Sequence, residues 1–347
     1  MSSAITFSVP ATLFAAEPPE ARGLARDEVR LLVTSSAGEP AHAIFRDLPR
    51  FLEPGDLVVI NVSATVAAAV DGVDSDGRDA TVHFSTPLPT GEWLVELRDP
   101  ARVRDAFAGL TVTLPEGTTL TLVAGYPDAG QELGSRLWRA VIDQPDVLSY
   151  LWGVGRPISY GYVGRRWPLT DYETVYASIP GSAEMPSAGR PFTKDILGEL
   201  RERGVSIAPI VLHTGVSSLE AGETPLPERF RVSRTTARRI NQARRTGGRV
   251  VAVGTTVTRA VETAVDHRGI VRPAAGWTEL VLGPERPAKV VDGLITGWHE
   301  PEASHWQLLE AVAGSELVAR AYDAALASRY LWHEFGDSCL LLPDRRG

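Results

Sequence analysis

From Val62 to about Trp138 the chain breaks into short runs in which apolar and polar residues alternate: TVHFST, EWLVELRD, LTVTL, TLTLVAGY and RLWRAVI. Turn residues close each run, and a new one begins roughly every 10 residues, the spacing of an antiparallel sheet or small barrel. The texture differs on both sides. Before this region, Val29–Val33 and Leu57–Ile60 read as strands, separated by a short helix-like piece and a Pro54-Gly55-Asp56 turn. After residue 150, helices expected at Lys194–Arg203, Ser233–Thr246, Thr258–Asp266, Trp306–Ala313 and Glu316–Arg329 alternate with apolar strands at Ser206–Leu212, Arg249–Val253, Glu279–Leu282 and Ser338–Leu342. That alternation belongs to an α/β layer, with functional loops at strand ends. The fold class expected is therefore a discontinuous mixed α/β domain, residues 1–61 plus 150–347, with an antiparallel β-barrel domain inserted at 62–149. A length of 347 residues suits two cores better than one.

Composition narrows the function classes. One cysteine, Cys339, excludes an internal disulfide framework and a cysteine-based zinc site, and fits a reducing cytosol. No apolar run approaches the ~20 residues of a membrane span, and the N-terminus lacks a basic-then-apolar pattern, so a cytoplasmic protein is expected. The formal charge of −8 opposes general nucleic-acid binding. Yet nine arginines and no Asp or Glu lie between Arg229 and Arg259. That stretch is either a solvated helix face or a phosphate-facing patch for RNA. The oligomeric state is not legible; a monomer is the default.

The run Asp171–Thr193, DYETVYASIPGSAEMPSAGRPFT, has neither a helical nor a strand period. Its proline and glycine turns lay backbone close to something and leave Tyr172, Glu173, Tyr176, Glu184 and Arg190 nearby. An irregular loop capping the next helix is the plainer alternative. Three further loops follow apolar strands. In the first, His213 stands at a strand end before Thr214 and Gly215, placed for a site or simply satisfied by a neighbouring carbonyl. In the second, Gly254, Thr255 and Thr256 open a helix that carries Arg259 and Glu262. Its free N–H groups make an anion cradle, although the threonines also serve as caps, and the glycine spacing is that of neither a Walker loop nor a dinucleotide fingerprint. The third, TGWHEPEASH, sets His299 and His305 six residues apart, which is not a zinc-helix spacing, and suits acid–base work or base stacking better than a metal.

Seven blocks in order carry a resemblance over nearly the whole chain: DLPRFLEPGDLVVIN, YETVYA, the P-S-A-G-x-P-F segment, LHTG, RVVAVGTTVTRAVE, VDGLITGWHEPEASHWQLLEAVAG and AY..A....Y....FGDSCLLL. They resemble the S-adenosylmethionine:tRNA ribosyltransferase-isomerases of queuosine biosynthesis. The resemblance implies a transferase with S-adenosylmethionine as co-substrate and no metal. The amine of 7-aminomethyl-7-deazaguanine in tRNA receives the ribosyl group, adenine and methionine leave, and the ribose becomes an epoxycyclopentanediol. The sulfonium acidifies the adjacent 5′ carbon, so a base suffices to start the rearrangement. By motif position, His213, His299 and Glu262 are the catalytic candidates. Tyr172, Glu173 and Tyr176, together with Ser187, Ala188, Gly189, Arg190 and Phe192, are expected to line the substrate pocket. Thr214, Gly215, Gly254, Thr255, Thr256 and Arg259 are expected to hold substrate, as is Pro301; Trp298 either stacks on a base or fills core.

Some positions depart from the family pattern. Where the family has A-P-T-A-G-L-H-F, this chain has Met185-Pro186-Ser187-Ala188-Gly189-Arg190-Pro191-Phe192, with Pro191 in place of the histidine. Glu173 replaces a glutamine, and the histidine-rich stretch after LHTG is absent from Glu220–Arg231. Loss of a histidine matters where proton transfer is the chemistry. Two alternatives therefore stand beside the tRNA reading: a paralogue acting on S-adenosylmethionine with a small-molecule acceptor or none, and a non-catalytic tRNA- or adenosyl-binding protein.

Overall fold

The computed structural model describes residues 7, 9–99, 102–126, 135–216, 226–299 and 304–344. Its largest element is a nine-stranded sheet with five strands in the middle, Ser206–Leu212, Leu57–Asn61, Val250–Val253, Gly293–Thr296 and Ser338–Leu342, side by side in that order. Leu57–Asn61 pairs in parallel with both Ser206–Leu212 and Val250–Val253, and Gly293–Thr296 runs parallel to the latter. These strands read as continuous apolar runs because helices or loops cover both their faces. All five residues of Leu57–Asn61 and all four of Val250–Val253 are buried. Asn61 closes the strand ends by bonding the Leu212 carbonyl at 2.8 Å and accepting the Leu212 N–H at 3.0 Å. Arg30–Ser35 and Ala41–Ile44 extend one edge of the sheet, and Glu228–Val232 and Ala274–Thr278 the other.

Direction decides where chemistry collects. The four mutually parallel strands all present their carboxyl ends to one edge of the sheet, the usual place for ligands in α/β layers. Ser338–Leu342 is antiparallel to Gly293–Thr296, so the residues leading into it, His333 and Glu334 among them, arrive at that same edge.

The barrel expected from the turn spacing is present. Strands Ala69–Asp74, Asp79–Pro87, Trp93–Asp99, Leu137–Ile142, Thr119–Tyr126 and Thr111–Thr113 form a closed antiparallel ring, with Arg102–Val103 added outside it. Val82, Phe84, Val95, Leu97, Leu122 and Trp138 fill it. The same apolar cluster continues through Val147, Tyr150 and Leu151 of an α-helix, Val147–Val154, and on to Ile158.

The helices follow their caps. Thr193 caps Lys194–Glu202 and Ser233 caps Arg234–Arg245, each accepting a backbone N–H three residues on. Two expectations are corrected. The helix expected from Thr258 begins at Thr255, because Gly254 at φ 91° lets the chain turn into it at once. Glu279–Leu282 is not a strand; the edge strand is Ala274–Thr278, where the sequence AAGWT carries little apolar alternation.

Candidate active site

A cavity of about 540 Å³ lies at the carboxyl edge of the sheet. The loops after three parallel strands supply one side of it: Thr214, Gly215 and Val216; Gly254, Thr255 and Thr256; Gly297, Trp298 and His299. Met185 to Ala188, Tyr160, Tyr162, Tyr172, His333 and Glu334 supply much of the rest. A volume of this size suits a small-molecule substrate.

Glycines set how closely these walls approach. A Cβ on Gly215 would stand 2.7 Å from Ser85 Oγ on the barrel. With hydrogen there instead, Ser85 Oγ accepts the Val216 N–H at 3.0 Å and ties the loop to the barrel. A Cβ on Gly189 would collide with the Tyr176 hydroxyl, so the Ser187–Gly189 turn requires glycine at its third position.

The electrostatics of the wall favour neutral groups. His299 and His305 stack at 4.4 Å with ring planes 8° apart, and His299 Nε2 pairs with Thr296 Oγ1 at 3.0 Å. Burial, with His305 and His333 nearby, pushes the His299 imidazole well below its ordinary value. Burial, helped by Arg259, lowers His305 to about 4, and burial lowers His333 to about 4. All three are therefore uncharged imidazoles at neutral pH. Burial raises the Glu334 carboxyl although the Tyr162 hydroxyl donates to it. Tyr162 itself stacks on His333 at 4.3 Å. Four wall atoms are buried without a hydrogen-bond partner among the described residues: Tyr172 Oη, Thr256 Oγ1, Trp298 Nε1 and His333 Nε2. Buried polar atoms are rarely left so, and a wall that leaves four is built to bind polar atoms of a ligand.

A sequence profile of the queuosine biosynthesis protein family matches residues 2–341. The chain belongs to that family. The S-adenosylmethionine:tRNA ribosyltransferase-isomerase of Caldanaerobacter subterraneus subsp. tengcongensis is 31% identical over 347 residues, covering 97% of this chain and 98% of the relative. The enzyme of the same name from Symbiobacterium thermophilum is 35% identical over 346 residues, with the same coverage. The crystal structure of S-adenosylmethionine tRNA ribosyltransferase from Thermotoga maritima matches with a TM-score of 0.54 at 27% identity, covering 98% of this chain and 100% of that one.

The residues singled out from sequence divide into two groups. Tyr172, Ser187 and Ala188 stand on the cavity wall, as do Thr214 and Gly215. So do Gly254, Thr255, Thr256, Arg259, Trp298 and His299. Arg259 is spent on the fold: its guanidinium pairs with buried Glu228 and donates to the carbonyls of Leu280, Leu226 and Thr278. Trp298 is 2% exposed and meets Tyr322 edge-on at 5.0 Å, so aromatic core covers it.

The others lie behind the wall. His213 Nδ1 pairs with Ser63 Oγ at 2.7 Å, and its ring fills the space left by Gly181. Burial, with Arg229 and Arg231 nearby, lowers His213 to about 4. Glu262 accepts the N–H groups of Lys289, Val290 and Val291 at 2.9, 2.8 and 2.9 Å, which occupies the carboxylate in holding a turn. Arg190 is buried against Glu20 at 2.9 Å and the Asp171 carbonyl at 2.8 Å. Phe192 and Tyr176 pack together in the core, Gly189 gives way to the Tyr176 hydroxyl, and the Glu173 carbonyl accepts from Arg26 at 3.2 Å. Pro301 falls outside the described residues.

Tyr160, Tyr162, His333, Glu334 and Glu228 also line the cavity and were not singled out from sequence. The available signal was the position of His333 and Glu334 directly before the FGDSCLLL block. No group of three or more His, Cys, Asp or Glu side chains placed to hold a metal occurs among the described residues. None of the described helices is long and apolar enough to cross a membrane.

Proposed function

We propose that this chain transfers and isomerises the ribosyl group of S-adenosylmethionine onto 7-aminomethyl-7-deazaguanine in tRNA, in the cytoplasm, with release of adenine and methionine. The observation that carries the reading is similarity over 97% of the chain to enzymes of that name, with several of the shared blocks meeting at one cavity. Of the departures from the family pattern, Pro191 and Glu173 do not line the cavity.

In this reading the N–H groups at the start of the Thr255–Thr263 helix, with the Thr256 hydroxyl, take the methionine carboxylate. Uncharged His299, His305 and His333 admit the sulfonium without repulsion, and the face of Tyr162 attracts it. His299 is the proton-transfer residue. His213, Glu262 and Arg190 position the loops from behind, and Trp298 anchors its loop from the wall itself. The division into residues 1–61 plus 150–347 and 62–149 belongs to the same reading, with Thr65 of the second part on the cavity wall.

The test is adenine release from purified protein and S-adenosylmethionine, with and without tRNA carrying the deazaguanine. Adenine that requires the tRNA is the expected result. Adenine without tRNA would replace the acceptor, and none in either case would remove the transferase reading.

A further inference from the structure

Between Trp152 and Trp167 the chain carries three arginines, two tryptophans and two tyrosines, and no carboxylate. Much of this segment is strapped across the outside of the barrel. Asp71, Thr81 and Arg98 stand in register on three adjacent strands. Arg156 donates to Asp71 at 2.6 Å and reaches Thr81 at 3.4 Å, while Arg166 reaches Asp71 at 3.3 Å. The Arg98 guanidinium lies 5.8 Å from the centre of the Tyr160 ring. The strap runs directly into the cavity, since Tyr160 and Tyr162 are part of its wall.

Its charge is not cancelled. Arg156 and Arg166 share the single carboxylate of Asp71. Arg166 is 71% exposed, and exposed Arg165 lies 3.8 Å over the Trp167 ring with no carboxylate partner among the described residues. Trp152, on the helix that leads into the strap, is 75% exposed. Guanidiniums interleaved with accessible aromatic rings are the chemistry that holds unpaired nucleotides. The arginine-rich stretch from 229 to 259 does not form one comparable face. Phe230 and Val232 pack with Ala237 and Ile240 of the following helix, which turns Arg229 and Arg231 to the opposite side of the sheet. Arg239, Arg244, Arg249 and Arg259 are hydrogen-bonded to the protein's own carbonyls and carboxylates.

We propose that the strap is the RNA-docking surface: Arg165 and Arg166 take phosphates of an unpaired RNA loop, and the acceptor base passes Tyr160 and Tyr162 into the cavity. This rests on the reading that the acceptor is part of an RNA. The test uses the full-length protein and a fluorescein-labelled anticodon stem-loop, with affinity read by anisotropy across a salt series. Arg165→Glu/Arg166→Glu is expected to weaken binding at least tenfold and to lower the slope of log affinity against log salt by about two. Arg234→Glu/Arg238→Glu is expected to change affinity less than about twofold. S-adenosylmethionine affinity, measured by calorimetry, shows that the variants are folded. Unchanged RNA affinity and slope in the strap variant would overturn the docking surface, as would a wild-type protein that binds no stem-loop or prefers polyglutamate. A wild type that binds the stem-loop through the strap but releases no adenine would instead overturn the proposed reaction and leave the surface standing.

Discussion

Glu262, on the Thr255–Thr263 helix, and His299, on the loop after Gly293–Thr296, both lie in blocks shared with the family, and the structure uses them in opposite ways. The Glu262 carboxylate accepts three backbone N–H groups of the Lys289–Val291 turn. The His299 ring pairs with Thr296 Oγ1 and stacks on His305, and it lines the cavity beside polar atoms that have no hydrogen-bond partner among the described residues. The first arrangement holds a wall in shape; the second leaves capacity for a ligand. Spent polar groups position and unspent ones act, a rule that sorts the candidate residues better than their chemical type does.

The largest effect that separates the two classes is on rate. His299→Gln keeps a polar side chain of similar size but removes the proton-transfer group. Adenine release should fall about 10²–10⁴-fold, with the urea midpoint near wild type. A variant that retains most of its rate would move the proton transfer to His305 or His333. Glu262→Ala should do the reverse. It strands three backbone donors, at a cost of roughly 3 kcal/mol or more in denaturant unfolding, while the rate per folded molecule stays within about tenfold. A third substitution addresses the unspent class by itself. Thr256→Val replaces a buried hydroxyl that has no partner among the described residues with a methyl group of similar shape. S-adenosylmethionine affinity should drop about fivefold to tenfold by calorimetry, with little change in stability, because a ligand hydrogen bond is lost and no internal one is. If affinity does not change, the helix N-terminus is not where the methionine carboxylate sits.

Much of this fold was legible in the sequence, and less of the site. Ser206–Leu212 and Ser338–Leu342 lie where the apolar runs put them, and the barrel strands follow the turn spacing, because burial on defined faces writes itself into local pattern. Whether a polar residue is spent is not local. Asp171–Thr193 announces chemistry by its irregularity, yet Arg190 is consumed by Glu20, some 170 residues away in sequence, and Tyr176 by the core. His333 and Glu334 reach the cavity only because their strand runs antiparallel to its neighbour, a fact of sheet order that no window of sequence contains. His333 also adopts φ 71°, a conformation rare for a residue with a side chain and unmarked by any glycine. Trp298 was readable either as core or as a stacking platform, and its aromatic neighbours Tyr322, Tyr330 and Trp332 decide for core.

The smallest effect tests the same comparison through protons. His213, His305 and His333 each titrate near about 4 in the folded chain, below the ordinary histidine value, chiefly because burial disfavours the charged ring. Above about pH 6.5 both folded and unfolded chains hold these rings neutral, and they add no pH dependence. As pH falls from about 6.5 towards 4, the unfolded chain takes up protons that the folded chain refuses, so stability falls. Each ring contributes at most about 1.4 kcal/mol per pH unit within that window. His213→Asn should remove one share of the slope of unfolding free energy against pH. It should also lower adenine release at pH 7.5 far less than His299→Gln, because His213 lies behind the wall against Ser63. The decisive measurement is the pair of slopes with the pair of rates. Equal rate losses in the two variants would mean that His213 reaches the substrate after all, and that a spent partner does not keep a histidine out of the chemistry.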